Sequence, residues 1–236
     1  MGVPPKRKGD WASDIAHEVT LTKGFWIGKY AVTQQLFEPV IGLNPSENKG
    51  ANLPVTNVSC NAGKWYAKKL NNLLATDVFR LPSEAEWEYA CRAGTTGDFA
   101  GTGKLKDMGW FEDNSGRVSH PVGEKLPNDW GIHDMHGNIW ECCDDMKESY
   151  INILEYNNNM RENHTPDAIV DPRCPIKSSN FVIRGGCFGN EAKHCTSAYR
   201  HESSYGGGMI DKCGDVIGFR LAANDDPVFF TKGENK

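Results

Sequence analysis

The sequence predicts an α+β domain in which irregular loops outweigh regular elements, and three observations predict it. Capped, helically periodic stretches are confined to the chain before Gly94. Short alternating runs of strand character sit near both ends. After Gly94, glycine, asparagine and brief apolar runs predominate, and only residues 181–186 (FVIRGG) and 217–222 (IGFRLA) read as strands.

In HEVTLTKGFWIGKYAVT, Val19, Leu21, Phe25 and Ile27 alternate with polar positions around Lys23-Gly24, which predicts a β-hairpin. Thr33 is placed to cap a helix over TQQLFEPVI with Leu36, Phe37, Val40 and Ile41 on one side, kinked or shortened by Pro39. Ser59 caps a second helix, in which Ala62, Tyr66, Leu70, Leu73 and Leu74 recur at helical spacing. The third, LPSEAEWEYACRAG, has Ser83 and Glu86 as a capping box, Trp87, Ala90 and Cys91 as a buried stripe and Gly94 as a left-handed stop. Roughly the last 140 residues exceed the ordinary share of irregular structure. Loops that long inside one domain are functional, ion-pinned or partner-binding. No repeat or linker divides the chain, so residues 1–236 are expected to form one domain.

The chain is long enough to bury a core without disulfides. Its eight cysteines show no C-x-x-C and no zinc-like pairing of pairs, and the Cys142-Cys143 doublet is too strained to close on itself, so buried or free thiols in a reducing compartment are expected. A net charge of -5 without a basic run argues against nucleic acid as the main partner. No apolar run approaches a membrane span and MGVPPKRKGD lacks the apolar segment of a signal peptide, so the chain as written is expected in the cytoplasm, or exported if a leader precedes it. A monomer is expected.

Taken in order, HEVTLTKGFWIGKYAVTQ, LPVTNVSCNAGKWYAKKLN, FRLPSEAEWEYACRAG, NDWGIHDMHGNIWE, VIRGGCF, CTSAYR and IGFRLA resemble the formylglycine-generating enzyme (sulfatase-modifying factor) family over nearly the whole chain. The resemblance implies a C-type-lectin-like α+β fold, two helices against a small twisted sheet, and a calcium ion pinning loops. Calcium takes six to eight oxygens, and DMHGNIWE offers Asp134, Glu141 and the carbonyls of Gly137 and Ile139, with Asp134 standing where the family has asparagine. The plainer reading of Glu141 is a turn cap or an arginine partner. His133 and His136 lack a third ligand at zinc spacing.

Enzymes of this family oxidise a sulfatase cysteine with oxygen and a copper(I) ion held by two thiolates, a soft metal on soft ligands. The positions matching those cysteines are Asn190 and Cys195; Cys187 stands where the family has serine. An amide cannot replace a thiolate, so copper is not expected, and the resemblance leaves the chain's status as an enzyme open while leaning away from it. A second branch, with non-haem iron, needs an H-x-x-x-H-x-E motif that does not occur.

The lectin-like fold then implies a binding face in residues 187–212: Phe188, Gly189, Asn190, Glu191, Lys193, His194, Tyr199, His201, Glu202, Ser203, Ser204 and Tyr205, a mixture of aromatic anchors, glycine and adaptable polar groups. Its partner would be a protein or cell-surface ligand. The RGG, CTSAYR and GFR patterns are similar to those of lectin-fold proteins diversified by retroelements that rewrite adenines in this segment. Rewritten AAC codons yield the Gly, His, Ser and Tyr found here but not Glu191, Lys193 or Glu202. The other readings are a fixed interaction module and the copper oxidase itself.

Overall fold

The computed structural model describes residues 1–2, 16–146, 169–172, 180–203 and 215–226. The described elements are β1 (Val19–Thr20), β2 (Phe25–Ile27), α1 (Gln34–Ile41), α2 (Cys60–Leu74), β3 (Phe79–Arg80), α3 (Glu84–Arg92), α4 (Leu105–Met108), β4 (Trp140–Met146), β5 (Ile169–Val170), β6 (Phe181–Arg184), β7 (Arg200–Ser203), β8 (Ile217–Gly218) and β9 (Ala222–Asn224). They form two main helices, α2 and α3, against small sheets, the α+β arrangement the sequence predicts.

α2 begins where expected: the Ser59 side chain accepts from the Ala62 N–H. Its buried stripe is Ala62 and Tyr66, with Leu70 packed partly against the core, whereas Leu73 and Leu74 project from the last turn into solvent. α3 starts with both halves of the capping box, and Ala93 takes the left-handed cap one residue before Gly94. α1 runs through Pro39 and stops at left-handed Gly42; Thr33 precedes it without a capping hydrogen bond.

Two expectations are corrected. β1 and β2 do not pair with each other: β1 lies parallel to β5, while β2 joins β9 and β3 in a separate sheet. And the stretch after Gly137, read as loop, contains β4, which lies between β6 and β8 in the four-stranded sheet β7-β6-β4-β8. β4 escapes detection because its first four residues, Trp140 to Cys143, are all buried, with a glutamate among them, so no alternation is visible.

One core cluster gathers Phe37, Tyr66, Phe219 and Leu81 between the helices and the sheet, with Tyr66 stacked on Phe37 at 5.4 Å and edge-on to Phe219 at 5.5 Å. A second surrounds Trp87 with Cys91, Met135, Cys143 and Val182. Successive residues of β4 face opposite sides, so Cys142 enters the first cluster and Cys143 the second. Cys142 is bonded to Cys60 at the start of α2, which corrects the expectation of free thiols throughout; Cys91, Cys143, Cys187 and Cys195 are free and buried. Among the described residues no helix is long and apolar enough to cross a membrane.

Candidate functional site

β6 ends at Arg184, whose guanidinium is wholly buried and donates to the carbonyls of Ala198 (2.7 Å) and Ser197 (2.9 Å) and to Glu88. One side chain thus ties the start of the following segment to its far end. Gly185 and Gly186 both have positive φ, and a Cβ on Gly186 would lie 2.6 Å from Cys195 Sγ, so the chain reverses there only because glycine permits it. The carbonyl of Cys195 accepts from His136 Nδ1 at 2.9 Å, while His136 Nε2 accepts the Ala100 N–H at 3.0 Å. Both ring nitrogens are therefore used by a neutral imidazole, and burial pulls its pKa down to about 4. His133 Nδ1 lies 2.8 Å from the Lys125 carbonyl.

Above this base the segment presents part of the expected face. Glu191, Lys193, His201 and Glu202 are exposed, and Phe188, Gly189, Asn190, His194 and Tyr199 half-exposed. Ser203 is a correction: it is buried, its hydroxyl 3.6 Å from Cys60 Sγ. Asn190 serves the turn, its carboxamide oxygen accepting the Cys187 N–H at 2.9 Å. Ser204 and Tyr205 lie outside the described residues. Tyr199 stands edge-on to His194 at 4.8 Å, and His201 edge-on to buried Trp140 at 5.4 Å, giving an aromatic platform with Trp140 as its floor. Sequence reasoning missed the floor because Trp140 belongs to a strand that it did not find. Glu191 and Lys193 pair at 2.9 Å on the exposed rim.

Burial pushes the Cys187 thiol up to about 11 and that of Cys195 up to about 12, with the neighbouring Cys187 adding to the rise at Cys195. Cys187 packs near Trp140 and Cys195 against Leu105 and Phe111. Asn190, with its carboxamide oxygen in the turn, puts no thiolate at the position that the resemblance matches to a copper ligand.

The proposed calcium donors are less uniform than the sequence suggests. Both oxygens of Glu141 receive Arg220, at 2.6 and 2.7 Å, and one also receives Trp87 Nε1 at 2.8 Å, so the arginine-partner reading describes it. Asp134 differs. One oxygen accepts the Gly123 N–H at 2.8 Å; the other is buried without a hydrogen-bond partner. Among the described residues no group of three His, Cys, Asp or Glu side chains is placed to hold a metal. Asp134 Oδ1 is thus left as a buried carboxylate oxygen without a hydrogen-bond partner.

Burial raises the Asp134 pKa to about 6 from an ordinary 3.8. A raised carboxyl gives stability that is complete below pH 3.8 and is lost as pH rises through 6. In calcium-free buffer at pH 7.5, Asp134→Asn is therefore expected to stabilise the fold by up to about 3 kcal/mol, shrinking towards zero near pH 4. Asparagine also suits the left-handed φ of 58° at this position. His136, depressed from 6.5 to about 4, acts oppositely, removing stability as pH falls through that window, so the variant should unmask an acid lability that the native protein balances. Denaturant titrations from pH 4 to 8 read both; no gain at pH 7.5 would refute the burial argument. If calcium occupies Asp134, adding it should raise the melting temperature of the native protein and not of the variant.

A family model described as the Sulfatase-modifying factor enzyme 1-like domain matches residues 6–225. The formylglycine-generating enzyme of Streptomyces coelicolor is 30% identical over 191 residues, 74% of this chain and 54% of that protein. That of Mus musculus is 27% identical over 193 residues, 75% of this chain and 46% of that protein. The chain thus spans about half the length of these curated relatives. Among solved structures, Treponema denticola variable protein 1 superposes with a TM-score of 0.78 at 29% identity, over 92% of this chain and 90% of that one. PvdO from Pseudomonas aeruginosa gives 0.72 at 27%, over 95% and 90%.

Proposed function

Because the chain belongs to the sulfatase-modifying factor family and has its C-type-lectin-like fold, we propose that it is a ligand-binding member whose contact face is the segment after Arg184, of the kind that a diversity-generating retroelement rewrites. The observation that carries this reading is how the motif arginines are used. Arg184, Arg200 and Arg220 each pair with a buried glutamate, Glu88, Glu84 and Glu141 respectively, on α3 or β4. Side chains that define the pattern hold the scaffold from beneath, while Glu191, Lys193, Tyr199, His201 and Glu202 between them project outward. Such a surface tolerates change without loss of the fold. The likeness to a variable protein of Treponema denticola supports the same reading, and the missing thiolate at Asn190 favours it over the copper oxidase. A calcium ion at Asp134 would brace the neighbouring loop and take no part in contact.

The partner on this reading is a protein or cell-surface ligand, anchored by Tyr199 and the platform around it, since a few aromatic residues carry most of an interface's energy. Sequencing the locus from many cells of one population tests it. Substitutions are expected within residues 187–212, sparing Cys195, Ser197 and Arg200, with an adenine-rich template copy nearby. A uniform segment without such a copy would overturn the retroelement reading and leave a fixed binding module.

A further inference from the structure

We propose that the outer faces of α1 and α2 form a docking surface for a second copy of this chain, related by a two-fold axis, where the sequence suggests a monomer. The helices lie side by side, with the Tyr66 hydroxyl donating to the Leu36 carbonyl at 3.2 Å and the Tyr66 ring stacked on Phe37. Each is apolar beyond its core side. On α1, Phe37 and Ile41 are buried, but Leu36 is 56% exposed and Pro39 is exposed as well. On α2, Tyr66 and Ala67 are buried, but Trp65 and Leu73 are 36% and 68% exposed. Lysine, glutamate or glutamine would serve a helix as well as leucine at such positions, so apolar side chains on two adjoining helices mark a contact face.

The charges at the two rims say what covers it. Successive residues turn by about 100° around a helix, which fixes the order in which side chains cross the surface. On α1, Phe37 lies towards α2, Leu36 and Pro39 follow outward, and Glu38 stands on the far flank. On α2, the order outward from the α1 side is Tyr66, Leu73, Lys69, Trp65 and Lys68. Lys64, one turn before Lys68, pairs with Asp144 of β4 at 2.7 Å, which marks that flank as the one away from α1. The strip therefore has a carboxylate at one rim, an apolar middle and lysines at the other. Glu38 and Lys68 are exposed and make no ion pair among the described residues, and Lys69 lies over the Trp65 ring at 4.0 Å.

Such a strip is complementary to itself. A two-fold axis through its middle sets Glu38 of each copy against Lys68 and Lys69 of the other while Leu36 and Trp65 cover one another, a closed isologous pair. A lipid surface, or a partner of one charge, attracts one rim and repels the other. Two helix faces, the longer about 22 Å, make a small interface, so the dissociation constant is expected to be on the order of ten micromolar.

The test is sedimentation velocity of the whole protein from micromolar to submillimolar concentration. A monomer–dimer equilibrium is expected, weakened about tenfold or more by Leu36→Glu. Two charge reversals then read the two-fold arrangement. Glu38→Lys alone, and Lys68→Glu with Lys69→Glu alone, each set like charges at both contacts and should lose the dimer. An equimolar mixture of these two variants should regain it, which misfolded chains could not do. Tyr199→Ala, on the proposed ligand face, should leave association untouched, so the two surfaces fail or survive separately. A monomer at every concentration, a dimer indifferent to Leu36→Glu, an open series of larger species, or a mixture that associates no more tightly than its components would overturn the proposal. So would a monomer that floats with vesicles of phosphatidylcholine and phosphatidylglycerol, which would assign the face to lipid.

Discussion

Arg220→Met is expected to destabilise the protein by about 3–5 kcal/mol, because it breaks a buried ion pair from one side. The guanidinium has no exposure and neither, in effect, does Glu141 at 1%. Its two hydrogen bonds to Glu141 would be lost, and with them the donors to the Gly28 carbonyl at 2.8 Å and the His133 carbonyl at 2.9 Å. Trp87 Nε1 alone would face a buried carboxylate. The charge left behind is the larger part of the cost, which a second substitution isolates. Adding Glu141→Gln removes the orphaned charge while keeping an acceptor for Trp87, so the double variant should recover a substantial part of the loss. Urea titration of the native protein, both single variants and the double variant gives the coupling. Additive losses would mean that the pair does not work as a unit. Single changes at Lys193 or Glu202, by contrast, should stay within about 0.5 kcal/mol.

That contrast shows what a sequence discloses and what it hides. The capping box of α3 and the Ser59 cap of α2 were legible because both act over three residues, within reach of pattern reading. β6 was legible as a short run of β-branched and aromatic residues between loops. β4 was not, since a strand buried on both faces around a glutamate has neither alternation nor apolar continuity. The partner of that glutamate, Arg220, lies 79 residues away, and nothing in GNIWE or IGFRLA announces that one reaches the other. The hairpin failed for a related reason: alternation within residues 19–27 predicts extended chain but not its neighbour, and the neighbours are β5 and β9, far along the sequence. At the candidate site the inward roles of Asn190 and Ser203 depend on the turn after Gly186 and on Cys60, which only the folded chain brings together.

Breaking the Cys60–Cys142 bond is expected to cost about 4.5 kcal/mol by loop-closure entropy, since the bridge spans 82 residues. It joins the first residue of α2 to the third residue of β4, the strand between β6 and β8, so it fixes a helix to the sheet that carries the Trp140 floor. Cys60→Ala with Cys142→Ala removes it without leaving either partner's own thiol behind. Guanidinium titrations of this variant and of the native protein with and without reductant should then agree with each other in the reduced state and fall well below the oxidised protein. Cys143, next in sequence, cannot substitute: it faces the Trp87 cluster on the other side of the strand, where burial holds its thiol well above the ordinary range and keeps it unreactive. Peptide mapping without reduction should accordingly recover residues 60 and 142 in one linked species and never 60 with 143. Equal denaturation midpoints with and without reductant, or a mixed pairing, would show that the helix is held to the sheet by packing alone.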